Sequence, residues 1–174
     1  MEKWLDEINK ESFLIFHHLH LFKELSDIID KNQDLKRMDS TLLEWMRNAF
    51  IVDLVIGVCR ICDNDRRTKS LVRFLEELKK RKNYLTREKH LGLYNAHALM
   101  LDVANGTFDD LAGEGSKSFP IKIIKDDIHC LTKGNPFKKI IDFRNEYIAH
   151  NAQIKKIPAP LYRELFHSFE IIKE

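Results

Sequence analysis

The segment FKKIIDFRNEYIAHN holds the two side chains best suited to chemistry, Arg144 and His150, six residues apart. On a helix turning ~100° per residue, Phe137, Ile140, Ile141, Phe143, Tyr147 and Ile148 form one apolar stripe. Arg144 falls in the middle of that stripe, where a guanidinium is costly unless it is paired or lines a cleft. His150 sits at the stripe's edge beside Phe143, and Asn145 at the opposite margin. Glu146, four residues before His150, is placed to hydrogen-bond the imidazole, and Asp142 continues the same line. Arg144 and His150 lie ~120° apart and ~9 Å apart along the axis, a gap the long Arg stem closes in part. A second copy of the helix across a two-fold axis brings two Arg and two His into one cleft.

Imidazole and guanidinium suit phosphodiester cleavage. His150 can take a 2′-hydroxyl proton or protonate the leaving oxygen. Arg144 can hold the phosphate and stabilise charge in the transition state. This chemistry needs no metal and no other cofactor. The competing reading is structural: Arg144 snorkels, or pairs with a core carboxylate such as Asp53.

Asp53 interrupts the apolar run AFIVDLVIGV, so its carboxylate is expected to pair with a buried base, Arg144 or Arg47. Arg60 and Asp63 close the same run and are expected to form a local ion pair. Lys79, Lys80, Arg81 and Lys82 form a basic run that can contact an RNA backbone or simply solvate a helix face. Cys59 and Cys62 have metal-ligand spacing, but they sit inside an apolar helix with no second pair. His17 and His20 can share a face of the first helix, and His90 and His97 another. Without clustered acids, surface or core roles are expected for all four.

Elements that must position these residues follow from hydropathy and from where Gly and Pro fall. Before Gly92 the chain has one Gly (Gly57) and no Pro, and the first Pro is Pro120. All-β folds need turns every ~8–12 residues, so a sandwich or barrel is excluded and long helices are the default. Leu5, Ile8, Ile15, Leu19, Phe22 and Ile29 mark an amphipathic helix over about 3–30. KNQDLKRMDS is a polar connection. Thr41-Leu-Leu-Glu44 has capping-box spacing and opens a central helix that is apolar on most sides. Gly57 lets another helix approach closely, and Asp63-Asn-Asp65 ends the run. A third helix covers about 69–82. Thr86 caps a fourth, which is expected to end near Asn105-Gly106. The main loop is then 106–120. A helix over about 121–133 ends at Gly134. Asn135 as cap and Pro136 at the first position open the motif helix, to about residue 151. Pro158 and Pro160 bracket a turn before the last helix. The expectation is all-α: one domain over 1–174, a bundle of about six to seven helices.

Composition bounds the class. The chain has 174 residues, 29 Lys/Arg against 27 Asp/Glu, and a net charge of +2. Ten Lys/Arg face three Glu between Arg66 and Lys89, a local excess of seven that can attract phosphates. Three cysteines are too few and too odd in number for a disulfide framework. The N-terminus does not read as a signal peptide, and the longest apolar run is too short to span a bilayer. A cytoplasmic protein with no membrane partner is expected.

Arg144-Asn-Glu-Tyr-Ile-Ala-His150 resembles the motif of the HEPN superfamily, an Arg followed four to six residues later by a His. The RN-x-x-x-AHN form, after an apolar helix ending VCRICD and a TKSLVRFLEEL segment, is most similar to the abortive-infection HEPN branch of U type. The resemblance covers roughly residues 40–155. It implies a helical bundle that forms a homodimer through the motif helix. It also implies a metal-independent endoribonuclease acting as a toxin or antiviral effector, with RNA as substrate and, for toxin members, a cognate antitoxin. By resemblance Arg144 and His150 are catalytic and Asn145 assists; the orienting role of Glu146 comes from helix geometry alone. In the toxin branch paired with nucleotidyltransferase antitoxins a Tyr lies two residues after the His. Here that position is Ala152, so the resemblance does not extend to inactivation by nucleotide transfer. Two alternatives stand beside cleavage: a non-catalytic RNA-binding or regulatory module, and a structural helical interaction protein.

Overall fold

A computed structural model describes residues 2–37, 40–94, 98–149 and 159–173. The architecture is all-α, with no strand among the described residues. The first helix, α1 (Glu2–Lys31), buries Ile8, Ile15, Leu19, Phe22 and Ile29 of the expected stripe, while Leu5 stays largely exposed. The polar connection holds a five-residue helix, α2 (Gln33–Arg37). Asn32 initiates it by accepting the Asp34 and Leu35 N–H groups on Oδ1.

Helix α3 (Thr41–Ile61) starts one residue earlier than the Thr41 cap expected: the Ser40 hydroxyl accepts the Leu43 N–H at 3.4 Å. Its C-terminal half is buried on several sides, through Ile51, Leu54, Val55, Val58 and Ile61. The N-terminal half leaves Leu42 and Trp45 to solvent. A Cβ at Gly57 would lie 2.6 Å from Ile15 Cγ1 and 2.9 Å from Ile15 Cδ1, so glycine lets α1 and α3 approach closely. Because Ile15 is itself buried, overpacking outweighs the ~1 kcal/mol of helix propensity that Ala brings. Gly57→Ala is therefore expected to destabilise the chain by about 1 kcal/mol net and lower its melting temperature by about 2–4 °C. An unchanged melt would contradict this crossing.

Ser70 caps α4 (Leu71–Lys80), accepting the Arg73 N–H at 3.1 Å. A 3₁₀ turn, Lys82–Tyr84, follows, and Thr86 caps α5 (Arg87–Gly92) as expected. The expected fourth helix is in fact two. After α5 comes α6 (Ala98–Ala112), which runs straight through Asn105 and Gly106. Tertiary contacts override the local stop signal there. Arg87 bonds Asn105 and Asp109, and Ala104, Phe108 and Ala112 are buried. The helix ends instead at Gly113, whose φ of +91° is a backbone state that favours glycine. The loop thus covers 113–120 rather than 106–120. Its far end is tied to α5 by an isolated bridge between Thr86 and Ser118.

Helix α7 (Ile121–Lys133) ends at Gly134, as expected. Pro136, not Asn135, occupies the cap position of α8 (Phe137–Phe143), and no side chain caps it. The last helix is α9 (Ala159–Lys173). Pro158 and His97 lie outside the described residues. Helices α1, α3, α4, α7, α8 and α9 share one apolar core, in which Phe137, Ile140, Leu165 and Phe169 are fully buried. The expected six to seven helices thus gain the short α2 and the division into α5 and α6. No helix among the described residues is long and apolar enough to cross a membrane.

Candidate functional site

Phe137, Ile140 and Phe143 bury one side of α8 in the core and so fix the segment that follows. From Arg144 to Ala149 the backbone changes to a π-helix, with i→i+5 bonds in place of i→i+4. Such turns are rare and recur at functional sites, because each inserts residues out of α-register and re-aims the side chains around it. Here the change begins at Arg144 itself. Asn145, Glu146 and Tyr147 are exposed and Ile148 is half-buried. Tyr147 stacks on Phe143, with ring centroids 4.9 Å apart. Asp142 pairs with Lys138 at 2.9 Å, on the exposed side.

Arg144 is half-buried, and its Nε is buried without a hydrogen-bond partner. Its guanidinium lies beside the Cys59 thiol of α3. Burial pushes that thiol up from its ordinary range, the neighbouring Arg144 draws it down, and Asp63 adds to the rise. Among the described residues Arg144 forms no ion pair. His150 lies outside the described residues, so the expected contact with Glu146 does too. Nothing in the sequence marked Cys59 as the neighbour of Arg144.

The expected pairing of Asp53 is corrected. Its side chain is 53% exposed and pairs with His18 Nδ1, not with Arg144 or Arg47. Position 53 of α3 faces the edge of α1 and not the core, so water and an imidazole solvate the carboxylate. Arg47 instead lines a cavity of about 450 Å³ with Phe22, Asp27, Asp30 and Tyr162. Burial raises the Tyr162 phenol from its ordinary value, and Arg47 opposes that rise. Arg60 reaches Glu11 on α1 at 3.0 Å rather than Asp63. Asp63 Oδ1 accepts the Asp65 N–H at 2.9 Å, an Asx turn that ends the helical run.

The basic run divides. Lys79 pairs with Glu76 at 2.5 Å and Lys80 with Glu77 at 2.6 Å, both within α4. Arg81 and Lys82 are exposed at the end of that helix. Cys59 and Cys62 are buried, and burial drives the Cys62 thiol far above its ordinary range. No group of three His, Cys, Asp or Glu among the described residues is placed to hold a metal ion. His17 stacks against Phe13, whereas His20 sits 3.4 Å from Glu24. His90 contacts the Ala104 carbonyl through Nε2 at 3.2 Å.

No curated protein and no solved structure matches the chain. A HEPN family model, described as AbiU2, matches residues 1–164, nearly the whole length. An all-α bundle with an arginine held on the inner side of a late helix, and a match of that extent, agree: the chain belongs to the AbiU2 family, the U-type abortive-infection branch of the HEPN superfamily.

Proposed function

We propose that the chain is a metal-independent endoribonuclease that cleaves single-stranded RNA as a homodimer, in the cytoplasm, as an effector of abortive infection or of a toxin pair. The observation that carries this reading is Arg144. A guanidinium with a buried Nε that lacks a hydrogen-bond partner is short of an acceptor, and it has no carboxylate among the described residues to supply one. A phosphate supplies that acceptor with matching geometry and charge.

In the proposed reaction His150 removes the 2′-hydroxyl proton or protonates the leaving 5′-oxygen. The 2′-oxygen attacks the adjacent phosphorus in line, and the 5′-oxygen departs. Arg144 holds the phosphate oxygens and stabilises the charge that builds on them. Asn145, exposed on the π turn, positions the phosphate, and Glu146 orients His150. Single-stranded RNA suits this attack because an unpaired backbone rotates into the in-line geometry more readily than a duplex does.

The reaction sets the product ends. Cleavage of an unstructured RNA in the presence of a chelator is expected to leave 2′,3′-cyclic phosphate and 5′-hydroxyl termini. End-group analysis by mass spectrometry checks this. Termini with 3′-hydroxyl and 5′-phosphate, or loss of cleavage on chelation, would overturn it. RNA that binds but stays intact would leave a binding module in place of an enzyme.

A further inference from the structure

The basic stretch from Arg66 to Lys89 is largely neutralised within the fold. Arg67 pairs with Asp65, Lys69 with Glu7, Arg73 with Glu77, Lys79 with Glu76, Lys80 with Glu77, and Arg87 with Asp109. Among the described residues Arg66, Arg81, Lys82 and Lys89 form no ion pair. Three of those four lie within five residues of one aromatic, Tyr84. Ion pairing thus leaves most of the unpaired charge of this stretch close in sequence to a single ring.

Tyr84 closes the 3₁₀ turn after α4 and is 67% exposed. The Lys89 ammonium sits 3.8 Å from its ring centroid. Beside it opens a cavity of about 550 Å³, within the ~300–1,000 Å³ typical of small-ligand sites. Its walls include Leu85, His90, Leu93, Phe108 and Phe119. Phe108 is buried and held between the His90 ring, with centroids 5.6 Å apart, and the Arg87 guanidinium, 4.8 Å from its centroid. Lys117 adds a further exposed cation, brought alongside because its carbonyl accepts the Arg87 N–H at 3.0 Å. Glu88 is the acid of this short helix, one position before Lys89.

Two polar groups of the wall are already engaged. Thr86 Oγ1 accepts the Lys89 N–H, and His90 Nε2 contacts the Ala104 carbonyl. The cavity offers mainly aromatic and aliphatic surface with positive charge at the rim, and of its rings Tyr84 is the exposed one, with Lys89 over one face. That combination fits an uncharged aromatic ring attached to an anionic chain. An apolar protein segment would fill the cavity but leave the cationic rim without a partner.

We propose that the Tyr84 cavity is a stacking site for one base of a single-stranded RNA, with Arg81, Lys82 and Lys89 on the flanking phosphates. This rests on the reading of the Arg144 segment as an RNA site, and adds a second point of contact on the same substrate. Stacking on a ring face makes the site tolerant of base identity, because every base has such a face. The strand's backbone, not its sequence, supplies the charge contacts.

The test is fluorescence anisotropy with a labelled, unstructured RNA oligonucleotide on the full chain carrying His150→Ala, so that the RNA stays intact. Adding Tyr84→Ala is expected to weaken binding ~5- to 100-fold, whereas Tyr84→Phe keeps it. Lys82→Gln is expected to weaken binding less and to flatten its salt dependence. Tyr84 is exposed, so a matching thermal melt shows that the variant folds. Unchanged affinity in Tyr84→Ala overturns the proposal even if the parent chain cleaves RNA. Tyr84-dependent binding by a chain that never cleaves RNA supports the proposal and removes only the ribonuclease reading. A change in sedimentation without a change in RNA affinity overturns it in favour of a second copy of the chain in the cavity.

Discussion

Arg144→Met is expected to lower RNA cleavage by about 10²–10³-fold while leaving the melting temperature unchanged or slightly raised. The two halves of this expectation come from one geometry. The guanidinium is half-buried against Cys59, and its buried Nε lacks a hydrogen-bond partner, so in the free protein that N–H carries a desolvation cost that no hydrogen bond offsets. Methionine keeps the unbranched stem and its packing on α3 and removes the polar head. If Arg144 instead serves the fold, the same substitution should unfold the chain or lower its melt sharply, and the folded fraction should still cleave. Arg144→Lys separates charge from shape. Lysine keeps the charge but loses the planar fork that grips two phosphate oxygens, so activity should stay well below that of the parent. Initial rates on an unstructured RNA, together with thermal melts, read out all three.

His150→Ala should cost about 10²–10⁴-fold in cleavage and little in RNA affinity. An imidazole acting as general acid or base touches the reacting proton, not the bulk of the bound strand. The affinity should therefore reside in Arg144 and in the basic rim, and anisotropy should show it intact. Equal cleavage by parent and variant would remove His150 from the reaction and with it the proposed mechanism. Sedimentation of both proteins addresses the shared cleft. The proposed two-fold site needs a dimer, and a monomer that cleaves RNA at the full rate would rule that arrangement out.

Legibility in the sequence followed the range of the forces involved. The helix start at Thr86, the close crossing at Gly57 and the stop at Gly134 depend on neighbours a few residues away or on side-chain size. The periodicity of α1 was readable for the same reason, since one buried stripe repeats at the helical spacing. The Asn105-Gly106 signal failed because its competitor is distant in sequence. Arg87, eighteen residues earlier, bonds Asn105 and holds α6 straight. Asp53 was misread because an acid within an apolar run looks buried, although α3 turns that position to an edge where His18 meets it.

The sequence by itself determined an all-α architecture, an arginine and a histidine six residues apart late in the chain, and a resemblance that the family match bears out. Hydrophobic periodicity and residue identity are properties of the chain, and no contact is needed to read them. Tertiary structure decided what surrounds those residues. It set the π turn that begins at Arg144, the thiol beside its guanidinium, and which cations of the 66–89 stretch are neutralised by acids as distant as Glu7 and Asp109. Charge and burial are settled by what the folded chain brings alongside, and that follows from packing between helices, not from spacing within one.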